Sequence, residues 1–238
     1  MKLLLITSAL WLSFACSPEL SVQQRKPFLN KNGKIVSVLS DPRTGVVQGI
    51  TGLSETIKNY GLSLGQLDES SVEIMARTLI DDYANPLGLD SKQIRKWSID
   101  GGGGSWYIRF EQVVNDVPVE DSRITFHIGK WGDISDVVTK IYPNVAISTE
   151  PKITREKALQ IARREFSGNE ITDDISPRNL VIFVEETDHS LLYHLAWRII
   201  LDGGTQTNRF YVSALDGKIL KVEGLQVTNS PGKLEPPH

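Results

Sequence analysis

Between Lys34 and Glu223, apolar positions recur with two periods, and the two periods appear in the same order twice. Ile35-Val36-Ser37-Val38-Leu39, a turn at Asp41-Pro42 and residues 45–50 predict two strands. Val72, Met75, Ala76, Leu79, Ile80 and Tyr83 then fall on one face of a helix. Ser70 and Glu73 have capping-box spacing at its start, and Asn85-Pro86 marks its end. Residues 94–99, 106–114, 117–128 and 134–142 follow as a meander, broken at 101–104 (four glycines), at Asn115-Asp116 and at 129–133. Trp106, Ile108 and Phe110 alternate with Tyr107, Arg109 and Glu111. Ile124, Phe126 and Ile128 alternate with Arg123, Thr125 and His127. A period of two with one apolar face predicts a half-buried antiparallel sheet.

After a seam at residues 143–151 the order repeats. Thr154 can cap a helix carrying Ala158, Leu159, Ile161, Ala162 and Phe166, stopped at Gly168. Residues 180–185, 191–201, 209–214 and 218–223 are strand-like, and in 191–201 every odd position is apolar. Asp216-Gly217 is the signal for a primed two-residue hairpin turn. The expected fold class is α+β: two tandem helix-plus-antiparallel-sheet units, at residues 33–145 and 150–223.

The flanks lack both periods. Met1-Lys2 and the ten apolar residues at 3–12 have the dimensions of a signal-peptide h-region, too short to span a membrane. Cys16, the single cysteine, follows at once. The arrangement resembles a bacterial lipoprotein signal occupying residues 1–15, in which the Cys16 thiol becomes acylated, although Ser13 stands where that pattern places leucine. The alternative is an ordinary secretory signal cleaved near Ala15. Residues 16–32 are polar and aperiodic, as in a tether. Residues 224–238 contain Pro231, Pro236 and Pro237 and predict an extended tail.

Composition narrows the chemistry. The 238 residues carry 26 Lys and Arg against 29 Asp and Glu, interspersed, for a net charge of −3. Such a balance lacks the basic footprint of a nucleic-acid partner. One cysteine leaves no internal disulfide framework. Of the four histidines, His189 and His194 are five apart on or beside a strand, hence on opposite faces, and His127 alternates outward. The acidic pairs Asp81-Asp82, Asp173-Asp174 and Glu185-Glu186 do not converge by spacing on a dyad, and solvated faces or helix ends account for them. Neither a metal site nor a cofactor is expected. Trp106 and Trp197 are expected in the core, Trp97 and Trp131 at the surface as interface residues.

Two resemblances remain. Arg109, Phe110, Gln112, Val117, Pro118 and Val119 resemble the core motif of the fungalysin/thermolysin propeptide domain, with Asp116 where that family carries glycine. Residues 153–162, Tyr193-His194-Leu195-Ala196-Trp197 and 210–220, including Asp216-Gly217, resemble the helix and paired strands of a PepSY domain, whose fold is cystatin-like. Their order is that of a thermolysin-type metalloprotease prosegment. The His-Glu-x-x-His motif of the peptidase itself is not found in this sequence. The resemblance implies a stand-alone, non-catalytic protein that binds a thermolysin-like zinc metallopeptidase, as inhibitor or folding assistant. The tail prolines would then run toward the peptidase cleft, and the lipid on Cys16 would hold the protein to the cell envelope. An inactive remnant of a protease precursor and a general envelope peptide- or protein-binding module are the other readings.

Overall fold

The structure, a computed structural model, describes residues 24–29, 34–53, 55–63, 65, 67–166, 179–203 and 206–225. Among these residues it has two α-helices and two antiparallel sheets, the expected α+β class. The signal peptide, Cys16, Gly168, Asp173-Asp174 and the tail prolines lie outside the described residues.

The first helix, α1 (Glu69–Leu87), turns Val72, Met75, Ala76, Leu79, Ile80, Tyr83 and Leu87 inward, none more than 6% exposed. Its start differs from the expected cap. Asp68 is the N-cap, accepting from the Ser71 N–H at 2.8 Å while the Ser71 hydroxyl accepts from the Asp68 N–H at 3.0 Å. A carboxylate suits the positive helix end. Glu73 is engaged elsewhere, with Lys96 Nζ at 2.6 Å and Arg77 Nε at 3.1 Å. The helix also passes Asn85-Pro86 and closes at Gly88, whose φ of 66° is left-handed.

Nine strands form the sheet against α1: β1 (Gln24–Leu29), β2 (Ile35–Ser40), β3 (Val47–Thr51), β4 (Glu55–Thr56), β5 (Ile94–Gly102), β6 (Ser105–Val114), β7 (Val117–Pro118), β8 (Arg123–Ile128) and β9 (Asp133–Ile141). The order is β1-β2-β3-β9-β8-β6-β5, with β4 on β9 and β7 on β6. Ile108, Phe110, Ile124, Phe126 and Ile128 are at most 3% exposed, as their alternation requires. Strand β1 corrects the tether: residues 24–29 pair with β2 from Gln24–Ser40 to Leu29–Ile35. An outermost strand needs only one bonded side and can carry Pro27, so the segment lacks a strand's usual alternation. Between β5 and β6, Gly103 and Gly104 both have positive φ (60° and 83°), the requirement of a type I′ turn. Asn115 and Asp116 (47° and 66°) do the same between β6 and β7, so aspartate takes the glycine conformation of the motif.

The second unit places α2 (Arg155–Glu165) on a four-stranded sheet of β10 (Leu180–Glu186), β11 (Leu191–Asp202), β12 (Thr207–Ser213) and β13 (Ile219–Leu225), in that order. Thr154 caps α2 as expected, accepting from the Lys157 N–H at 3.3 Å. Ala158 and Ala162 are fully buried against Ile199, Leu201, Phe210 and Val212. Two small residues on the helix face let it approach the sheet closely. The turn at Asp216-Gly217 is not a primed two-residue turn. Positive φ occurs at Gly217 (82°) but not at Asp216, and the chain closes more widely through Ser213 N–H to Lys218 O at 2.8 Å. Strand β13 continues to Leu225, opposite Thr207, two residues into the segment expected to be tail.

Candidate functional site

The propeptide-motif residues divide between the core and the junction of the two units. Phe110 is fully buried, edge-on to Phe126 at 6.1 Å. Arg109 lies on the opposite face of β6, over the Tyr107 ring at 5.9 Å and bonded to Ser98 and Asp100. Gln112, 3% exposed, leads to the junction. Its amide donates to the Tyr142 carbonyl at 3.0 Å and accepts from the Tyr142 N–H at 3.2 Å. Its backbone receives the Val119 N–H at 2.8 Å, so one side chain and one peptide position both β7 and the end of β9. Pro118, opposite Val113, completes the short ladder and needs no N–H of its own.

Val119 and the residue after it then reach across. Val119 packs with Val46, Tyr142, Val145 and Ile182 in a small core shared by both units, and it forms an isolated parallel bridge with Ile182 of β10. The Glu120 N–H donates to the Ile182 carbonyl at 2.9 Å. On the opposite face, the Glu120 carboxylate accepts from Arg198 Nη1 at 3.2 and 3.3 Å and from the Tyr211 hydroxyl at 3.0 Å. The Tyr142 hydroxyl donates to Glu186 at 3.1 Å, which also pairs with Lys140 at 3.1 Å. The Tyr193 hydroxyl donates to the Pro143 carbonyl at 2.5 Å. Burial raises all three phenols. Carboxylate neighbours, Glu186 beside Tyr142 and Glu120 beside Tyr211, raise those two further, while Tyr193 is pushed up to about 12 by burial alone. All three therefore remain hydrogen-bond donors at neutral pH.

A cleft of about 320 Å³ opens beside these contacts, between Asp121, Lys140 and Tyr142 of the first unit and Phe183, Glu185 and Lys221 of the second. Glu186, expected on a solvated face, is part of this junction. Sequence reasoning missed Glu120, and it placed Arg198 and Tyr211 only within or beside the PepSY-like strands, without a role at the junction. The one available signal was position, since Glu120 directly follows Val117-Pro118-Val119.

The PepSY-motif residues mostly hold the second unit together. Trp197 donates its indole N–H to the Ile153 carbonyl at 3.0 Å, below the start of α2. Hydrogen bonds from Ser213 and the Lys218 N–H hold the Asp216 carboxyl below its ordinary range. Gly217 has a φ of 82°, which favours glycine, and a Cβ there would lie 2.9 Å from the Ile161 Cδ1 of α2, so the turn packs closely against the helix. Tyr193 and, within residues 210–220, Tyr211 are the members of this set that reach the first unit.

Trp97 and Trp131 are 45% and 75% exposed, and Lys130 Nζ lies 5.0 Å from the Trp131 ring. His127 stacks on Tyr107 at 4.5 Å, and His194 lies 3.1 Å from Glu185. Among the described residues no group of three or more His, Cys, Asp or Glu side chains is arranged to hold a metal ion, and no helix is long and apolar enough to cross a membrane.

Comparison with known proteins gives these two units separate relatives. Residues 93–139 match the Fungalysin/Thermolysin Propeptide Motif. Residues 152–223 match the family described as Peptidase propeptide and YPEB domain, or PepSY. Bacillolysin of Bacillus cereus is 26% identical, with 77% of this chain aligned. The chain spans about a third of that relative's length, 36%. Among solved structures, the Bacillus megaterium YpeB C-terminal domain is 13% identical with a TM-score of 0.37, covering 86% of this chain and 90% of its own. Both matched families are protease-associated and non-catalytic, so the matched residues form a regulatory rather than a hydrolytic module.

Proposed function

From the thermolysin-type propeptide-plus-PepSY architecture that these matches give the chain, we propose that it is a non-catalytic cell-envelope lipoprotein that binds a thermolysin-like metallopeptidase and inhibits it or assists its folding. The observation that carries this reading is the tandem order of the two matched domains, residues 93–139 followed by residues 152–223. The junction supports it. Glu120, Tyr142 and Tyr193 tie the units together, and two units held in one arrangement can offer the roughly 1,600 Å² that a specific complex buries. Exposed Trp131 supplies an aromatic anchor of the kind that dominates such interfaces.

Inhibition in this proposal has two sources, a docking surface from the units and occlusion of the peptidase cleft by the residues after Leu225. The test is a titration of a thermolysin-like peptidase, assayed on a fluorogenic peptide, with two forms of the protein. One runs from residue 17 to 238 and the other stops at Leu225. The full form should inhibit in a saturable manner and the shortened form more weakly, with unchanged thermal stability. Absence of inhibition, together with no gain in peptidase refolding yield, would remove the peptidase reading. Attachment is tested separately: Cys16→Ala should release the protein from membranes into the aqueous phase of a detergent partition, and retention of that variant would refute acylation.

A further inference from the structure

We propose that the cleft between the units binds an extended, lysine- or arginine-bearing peptide segment of the partner, which adds as a strand to the outer edge of β10. The inference deepens the peptidase reading by naming where and how a piece of that partner is held.

The argument begins with backbone direction. In an antiparallel strand, alternate residues aim both N–H and C=O toward the same neighbour. The Ile182 carbonyl accepts from Glu120 of the first unit, while β11 pairs on the other side of β10. Val184 therefore shares the outer side with Ile182. Pairing along that edge stops after the single Val119–Ile182 bridge, because the first unit turns away at Asp121, where φ is 59°. The N–H and C=O of Val184 are left facing the cleft. A partly open strand edge with space beside it is the template for strand addition. At a rise of about 3.3 Å, a strand spacing of about 4.8 Å and a depth of about 10 Å, the volume of about 320 Å³ admits roughly two extended residues.

Charge selects the occupant. Carboxylates of Glu120, Asp121, Glu185, Glu186 and Glu223 line the cleft against the ammonium groups of Lys140 and Lys221. Three of the carboxylates are matched by cations of this chain: Glu120 by Arg198, Glu186 by Lys140, and Glu223 by Lys221 and Arg209. Among the described residues Asp121 has no Lys or Arg partner, and the one salt bridge of Glu185 is to His194. Both are exposed at the mouth. Phe183 and Tyr211, their ring centroids 4.6 Å apart and their planes tilted by 31°, also line the cleft but are themselves largely buried.

The experiment uses a fluorescein-labelled hexapeptide of alternating lysine and valine and the protein from residue 17 to 238, followed by fluorescence anisotropy. Saturable binding is expected. The same peptide N-methylated at alternate backbone positions should bind about tenfold more weakly, since it loses edge hydrogen bonds while keeping its charge. Asp121→Asn combined with Glu185→Gln should weaken the unmodified peptide about fivefold, and asparagine tolerates the left-handed backbone at 121. Equal affinity for the N-methylated peptide, equal affinity for a glutamate–valine peptide, or no saturable binding would overturn the proposal. Peptide binding with neither peptidase inhibition nor a gain in peptidase refolding yield would refute the peptidase reading and leave the cleft standing. Inhibition without peptide binding would do the reverse.

Discussion

Within the first unit, α1 meets its sheet through Val72, Met75, Leu79 and Phe110, all at most 1% exposed. The junction between the units is made differently. There Tyr142, Tyr193 and Tyr211 donate to carboxylate or carbonyl oxygens, around a buried apolar cluster of Val46, Val119, Tyr142, Val145 and Ile182. That cluster is smaller than the first unit's core and is flanked by partly buried side chains such as Val114, Val117 and Val184. Burial of apolar surface is non-directional and tolerates small shifts, whereas a phenol bonded to a carboxylate specifies an orientation. The first unit's core supplies stability, and the junction supplies arrangement. That division suits a regulator whose two domains must present one surface to a partner.

The comparison breaks first in the core. Leu79→Ala should cost about 2–5 kcal/mol by the cavity it leaves, whereas Ile74→Ala on the exposed side of the same helix should stay within about 0.5 kcal/mol. Urea unfolding of the two variants checks the difference. Glu120→Ala should cost less, about 1–3 kcal/mol, because Arg198 and Tyr211 lose an acceptor yet Arg198 keeps some access to water. A double-mutant cycle of Glu120→Gln with Arg198→Met should show coupling of about 0.5–2 kcal/mol. Additivity of the two would mean that the ion pair orders nothing.

Alkaline pH sharpens the contrast at smaller cost. Tyr142 and Tyr211 titrate above the ordinary tyrosine range in the folded protein. Above about pH 10 the unfolded chain loses these phenolic protons and the folded chain keeps them, so stability falls as pH rises through that window. Each phenol should contribute about 1.4 kcal/mol per pH unit. Tyr60 in the first unit shares the direction, so the diagnostic measurement is the change in slope on Tyr142→Phe and Tyr211→Phe. An unchanged slope would show that the junction phenols are not responsible. The smallest stability effect is expected at Trp131, which is 75% exposed. Trp131→Ala should alter unfolding by less than about 0.5 kcal/mol while weakening peptidase inhibition.

These differences also mark what could be read from sequence. The face of α1 and the alternation through Trp106–Phe110 and Ile124–Ile128 are local periodicities, and the structure buries those side chains as they require. The cap at Asp68 and the strand at Gln24–Leu29 were hidden, because Glu73 is drawn to Lys96 and an edge strand needs no alternation. The motif residues Gln112 and Val119 were legible only as a family signature. Their work at the junction depends on pairs 30 residues apart, as in Gln112 with Tyr142, or 78 apart, as in Glu120 with Arg198. No local period records such contacts. The cleft was illegible for the same reason: Asp121 and Glu185 come to line one cleft only when two units meet.

The most direct test of the central claim is size-exclusion chromatography with light scattering on the protein, from residue 17 to 238, mixed with a thermolysin-like peptidase. A protease-binding propeptide module gives a one-to-one complex at low micromolar concentration that survives the column and loses peptidase activity in proportion to occupancy. Two separate peaks of unaltered mass, with the peptidase fully active and its refolding yield unchanged by the protein, would contradict it.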